Sequence, residues 1–320
     1  MPGNLFTFSS NKIFVIKVLA LCFILVALDF TLGKGLEKIY FSQKSGKFFR
    51  TRSAIETTRA DIVFFGSSRA IHHYDPRIFL SLLGVPAYNA GARGQDIVYA
   101  YSVLQGILHR YTPKIVILNL DTRIFKKEGK FERLSDLAPF YRNHPELRPI
   151  IERKSKFERV KLLSYLYTYN STILHFLNYA IKPQLDYDGF FPLRSMADAA
   201  EMDEPVGVVP SYTDLDAEYM VFYENFLKDT LNSGAKMLIV ISPGLAAAGE
   251  HAFINPAILK AKDLKIPVWD YSNDDHFVGH RELFADHAHM NETGAKLFSS
   301  LIADRLGGEY PEFGFKPTSF

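Results

Sequence analysis

The chain has 320 residues, 48% hydrophobic and 14% aromatic, enough to bury a sizeable core in one large domain or two small ones. Its 37 basic and 35 acidic residues leave a formal charge of +2, which sets up no global field for a polyanion. With no RNA- or DNA-binding signature either, nucleic-acid binding is not the default class, and the single cysteine, Cys22, excludes an intrachain disulfide or zinc-thiolate site.

Residues 13 to 32, IFVIKVLALCFILVALDFTL, hold an uninterrupted apolar centre from Val18 to Leu28, bracketed by Lys17 and Asp29. A full span needs about 20 mostly apolar residues, and Lys17 can snorkel, so residues 1–32 read as a single-helix membrane anchor. A cleaved signal peptide is the alternative, but Ala27-Leu28-Asp29 is a poor cleavage site, and Leu21 before Cys22 does not suit a lipoprotein. Lys12 precedes the segment whereas Lys34, Lys38, Lys44, Lys47, Arg50 and Arg52 come after it, a bias that favours the inner side for the rest of the chain. Residues 33–59 alternate polar, basic and aromatic and read as a juxtamembrane connector with some helix.

The domain is expected over 60–320. DIVFF at 61–65, a short apolar run bounded by charge and glycine, predicts a central parallel strand. DPRIFLSLL at 75–83 predicts a helix with Pro76 in its first turn, and VPAYNAG a short strand. Helical spacing over 96–111 and a continuous apolar run in KIVILNLD, 114–121, repeat the alternation. After it come a helix over 219–234 ending at Gly234, the strand AKMLIVISP, the strand IPVWDYS and a closing helix in ETGAKLFSSLIADRLGG. Strand-helix alternation implies an α/β fold with a parallel sheet and helices on both faces, where ligands gather at the carboxyl ends of the strands. Residues 126–210 break the pattern with charged, tyrosine-rich helical segments and a turn-rich patch. This insertion is either helical padding or a lid or partner surface.

Two short motifs carry the chemistry. Gly66-Ser67-Ser68-Arg69 lies just after the first strand, and Asp286-His287-Ala288-His289-Met290-Asn291 lies near the C-terminus. A serine hydroxyl becomes a useful nucleophile when an imidazole takes its proton and a carboxylate fixes that imidazole's tautomer. Ser68, His289 and Asp286 are the residue types required. Taken alone, Ser68 would be a turn or helix cap, and Asp286 could cap the last helix. His287 reads as an exposed neighbour. His72 and His73 invite a metal, but adjacent side chains diverge and make a poor chelate, so no metal or cofactor is expected. Arg69 and Arg93 are candidates to hold a substrate carboxylate or phosphate, or to form structural salt bridges.

These blocks resemble the SGNH/GDSL hydrolase superfamily. Phe65-Gly66-Ser67-Ser68 matches its first block, Asn89-Ala90-Gly91 its second, and Asp286-x-x-His289 with Met290-Asn291 and Gly294 its last. The resemblance covers about Asp61 to Leu306 and implies a three-layer, flavodoxin-like fold, with Ser68 as nucleophile and His289 and Asp286 completing a triad. It further implies an oxyanion site of Ser68 and Gly91 amides plus an asparagine side chain. The third block departs from the usual Gly-x-Asn-Asp, reading Leu118-Asn119-Leu120-Asp121. A one-residue shift on a strand turns a side chain over, so either Asn119 sits on a bulge or Asp121 occupies the position without a donor. Loss of one oxyanion donor costs about 100- to 1000-fold in rate, which points to a weak or partner-dependent enzyme. The anchored layout resembles accessory proteins of membrane-bound O-acyltransferases. It implies an acetyl ester of an envelope polysaccharide as substrate and an extracytoplasmic domain. The alternatives are a non-catalytic glycan-binding or assembly subunit and a lipid-directed esterase or thioesterase.

Overall fold

A computed structural model describes residues 5–125, 131–198, 215–246 and 251–315. Five parallel strands, β1 (Ile62–Phe65), β2 (Ala87–Asn89), β3 (Ile115–Asn119), β4 (Lys236–Ile241) and β5 (Val268–Asp270), form one sheet in the order β2-β1-β3-β4-β5. This is the flavodoxin-like order, and it places a topological switch point between the carboxyl ends of β1 and β3. The strands read as continuous apolar runs because both faces are covered. Ile62, Phe64, Ile115 and Ile117 face one layer, and Val63, Phe65, Val116 and Leu118 the other.

The helices are α1 (Leu5–Phe41), α2 (Gly46–Arg52), α3 (Ser68–His73), α4 (Pro76–Leu83), α5 (Ile97–Leu108) and α6 (Arg148–Ile151). They continue with α7 (Glu158–Lys161), α8 (Ile173–Ile181), α9 (Ala217–Asn232), α10 (His251–Asp263) and α11 (Glu292–Glu309). Tyr74, Phe79 of α4 and Phe298 and Ile302 of α11 pack on the first face. Val103 of α5, Phe226 of α9 and Ile254 of α10 pack on the second. Short polar side chains set the helix starts by accepting first-turn N–H groups: Asp75 for α4, Asp96 for α5, Asp216 for α9 and Asn291 for α11. The α11 cap is thus Asn291, not Asp286.

The insertion is described over 131–198, with residues 126–130 and 199–210 outside the described part. It is built of short elements, a 3₁₀ segment at Glu132–Phe140 and then α6, α7 and α8. Its Leu134, Phe140, Ile151 and Phe176 share a core cluster with Tyr40, Phe48 and Ile55. The globular body therefore starts well before Ala60: the segment expected as a connector buries these aromatics, and Arg50 of α2 is largely buried with them.

Helix α1 presents Ile13, Phe14, Leu19, Phe23 and Leu28 to the outside, and its stretch Asn11–Phe41 is long and apolar enough to cross a membrane. The far end of α1 is gripped by the insertion. Asp29 accepts from Ser164 Oγ and from the N–H groups of Tyr165 and Leu166, the latter two at 2.8 and 3.1 Å. Phe30 meets the Tyr165 ring edge-on, and a Cβ on Gly33 would lie 2.2 Å from that of Tyr165.

Candidate active site

At the end of β1 the chain must turn sharply into α3. Gly66 makes the turn at φ 141°, and a Cβ there would stand 2.9 Å from both the Ala70 Cβ and the Asn119 carbonyl oxygen. Ser68 becomes the first residue of α3, where its N–H has no acceptor within the helix. From the opposite side, the loop before α11 closes on itself. Asp286 Oδ1 accepts from the N–H groups of Ala288 and His289, both at 2.9 Å, which brings side chains three residues apart together.

His289 Nδ1 lies 2.9 and 2.8 Å from the two Asp286 oxygens, and His289 Nε2 lies 2.7 Å from Ser68 Oγ. A carboxylate only accepts, so Nδ1 carries the proton and Nε2 is left to accept from the serine. Burial pushes the Asp286 carboxyl up, but the bond from His289 and the two backbone N–H groups outweigh it and hold the acid well below the usual carboxylate range.

The two histidines of α3 brace this arrangement. His72, one helical turn after Ser68, donates from Nδ1 to the Phe191 carbonyl at 2.6 Å and accepts at Nε2 from Arg93 at 3.1 Å, its ring 5.4 Å from that of His289. His73 accepts the Met290 N–H at Nε2 and donates from Nδ1 to Ser242, tying the His289 loop to β4's end. Burial lowers His72 to about 3 and His73 well below its ordinary value. For His72 the signal in the sequence is its i, i+4 spacing from Ser68 on one helix face; His73, one position further on, leaves none.

Both imidazoles stay neutral in the folded chain while an unfolded one takes up protons below about pH 6.5. Stability is therefore full above that pH and falls as the pH drops toward the folded values, by at most about 1.4 kcal/mol per pH unit per histidine. Melting temperatures should be lower at about pH 5 than at about pH 7.5, with a shallower fall in His72→Gln. Equal midpoints at the two pH values would contradict the buried, neutral assignment.

The remaining expected residues are placed differently. Asn119 lies in regular register opposite Val240, without a bulge, and is fully buried; its Oδ1 accepts from Tyr74 and its amide is 3.5 Å from Asp121. The Gly91 N–H donates to Asn89 Oδ1 at 3.0 Å, while Asn89 Nδ2 ties down the Ala70 and Tyr74 carbonyls. Both oxyanion donors expected beside the Ser68 N–H are thus engaged inside the protein. Asp121, 1% exposed, accepts from Ser67 Oγ at 2.6 Å and from the Arg123 N–H, bridging the β1–β3 switch point rather than facing a substrate. Arg69, on α3, is 3% exposed, whereas Arg93 is exposed beside His72. His287 is half-buried. Among the described residues no group of acidic, histidine or cysteine side chains is arranged to hold a metal.

The end of the insertion crosses the site. Phe191 donates to the Ile71 carbonyl, Leu193 accepts from Glu292 and Ala197 donates to Phe284, so this segment runs from α3 to the loop that carries His289. Ser68 is 2% exposed. A cavity of about 710 Å³ is bounded by Ile71, Gly91, Arg93, Phe191, α2 and the insertion. Ser68, His72 and His289 do not line it, but His72 is bonded to two residues that do, Arg93 and Phe191.

No protein-family model matches the chain, and no match to a curated protein was found. Among solved structures it is similar to an acetyl xylan esterase, AlAXEase, at 11% identity and a TM-score of 0.37, over 78% of this chain and 99% of that one. It is also similar to a protein assigned as a platelet activating factor from Streptococcus pneumonia, at 11% identity and a TM-score of 0.33, over 91% of this chain and 99% of that one.

Proposed function

We propose that the chain is a serine ester hydrolase or O-acyltransferase of the SGNH kind, working through an acyl-serine on acyl esters, acetyl above all, of an envelope polysaccharide. The observation that carries the reading is the continuous path from Ser68 Oγ through His289 to Asp286, with hydrogen-bond distances of 2.7 and 2.8 Å. Ser68 attacks the ester carbonyl as its proton passes to His289 Nε2. Asp286 steadies the imidazolium, and the Ser68 N–H receives the developing oxyanion. His289 then protonates the leaving alcohol, and an acyl-serine remains. Water releases the acyl group in hydrolysis, and a sugar hydroxyl receives it in transfer.

With Gly91 and Asn119 engaged elsewhere, the oxyanion site rests on fewer ready donors, in keeping with a slow enzyme or one completed by a partner such as a membrane-bound O-acyltransferase. The grip on Asp29 favours α1 as a retained anchor over a cleaved leader, because its loss would strip three donors of their acceptor. In this reading the domain lies outside the cytoplasm, where such a glycan is found.

The full-length protein in detergent should take up a fluorophosphonate probe on Ser68, identified by peptide mass spectrometry. Labelling on Ser67, or labelling that persists undiminished in Ser68→Ala, removes the assignment and leaves a glycan-binding scaffold as the better account.

A further inference from the structure

The chain as a whole is nearly neutral, but the cavity beside the triad is not. Five cationic side chains, Lys47, Arg50, Arg93, Arg133 and Lys154, line it against two carboxylates, Glu132 and Asp136. Lys47 pairs with Asp136 and Lys154 with Glu158, which leaves the three arginines to set the character of the cavity. Arg50 is the informative member: its side chain is only 11% exposed, and one terminal nitrogen, Nη1, has no hydrogen-bond partner among the described residues. The nearest carboxylate oxygen, on Asp186, is 3.8 Å from it, beyond hydrogen-bond range. The guanidinium stands over the Phe191 ring at 5.5 Å, and Phe191 in turn fixes His72. Nη1 itself is sealed from the cavity, but the guanidinium borders it, and a planar fork of donors at a cavity wall suits an oxyanion.

We infer that the cavity binds an anionic group of the substrate, a carboxylate or phosphate, with Arg50 as the buried anchor and Arg93 and Arg133 at the rim. This assignment rests on the proposed ester chemistry and names its substrate class: an acylated acidic glycan rather than a neutral one. The cavity would hold the charged residue next to the acylated sugar, while His72 and Arg93 link that subsite to His289.

Binding can be measured apart from chemistry. Full-length Ser68→Ala protein in detergent is titrated calorimetrically with an oligogalacturonate, with tripolyphosphate and with neutral xylohexaose. Saturable binding of the first identifies a carboxylate ligand and of the second a phosphate, and either should be at least about 10-fold tighter than xylohexaose. Arg50→Gln should weaken it about 10-fold or more, Arg50→Lys should recover part of the loss, and about 500 mM NaCl should weaken it in all forms. Should Arg50→Gln not fold, the double variant Arg93→Gln/Arg133→Gln at the rim should give a loss in the same direction. Binding of neither anion, equal binding of xylohexaose, or a folded Arg50→Gln of unchanged affinity overturns the inference. Fluorophosphonate labelling without anion binding removes the cavity assignment alone, and anion binding without labelling removes the ester chemistry alone.

Discussion

Ser68→Ala should lower kcat/KM for p-nitrophenyl acetate by roughly 10⁴-fold or more while leaving the fold intact. The size reflects the loss: without Oγ no acyl-serine forms, and only the Ser68 N–H and binding remain to favour attack by water. Ser68 Oγ makes its bond to His289 and is otherwise enclosed, so its removal costs about one hydrogen bond of stability, roughly 1 kcal/mol. Activity within about tenfold of the parent, in a protein that melts normally, would place the chemistry elsewhere.

Asp286→Asn should cost about 10³- to 10⁴-fold in the same assay. Asparagine keeps an oxygen to accept the Ala288 and His289 N–H groups, so the turn should survive. Its amide then meets His289 Nδ1 with a second donor. The imidazole responds by carrying its proton on Nε2, which can no longer accept from Ser68. Loss of kcat with near-normal melting is the expected pattern. A variant that unfolds would show that the turn, rather than the tautomer, is the main role of Asp286.

The sheet was legible in the sequence because parallel strands buried on both faces leave continuous apolar runs between glycine and charge, as in IVFF and IVILN. The Ser68, His289 and Asp286 arrangement was legible because Ser68 opens a helix at the end of a strand and the Asp286–His289 pair closes within one short turn, both local features. What escaped depends on distant partners. Asn119 is claimed by Tyr74, 45 residues earlier, and Asp121 by Ser67, 54 residues earlier, and neither spacing leaves a pattern. The segment 33–59 gave no core signal, since Tyr40 and Phe48 alternate with lysines and arginines, yet they are 1% and 2% exposed beneath the insertion. Arg50 was hidden for the same reason: a basic residue in a basic stretch looks solvated until α2 folds it against Phe191.

The grip on α1 turns the apolar helix into a ruler. Slack between anchor and body would let the active site wander in height, but Asp29 and Gly33 are clamped before the helix ends, and about 18 Å of continuous helix runs on to Phe41. With α1 across a bilayer, as proposed, the edge of the insertion sits level with the headgroups. There Phe157, Val160 and Leu163, 62%, 63% and 74% exposed and interleaved with Lys156, Arg159 and Lys161, would wade into the interface. On the proposed function, Ser68 would then address only glycan passing at one fixed altitude, so that length added after Phe41 would leave its reach unchanged.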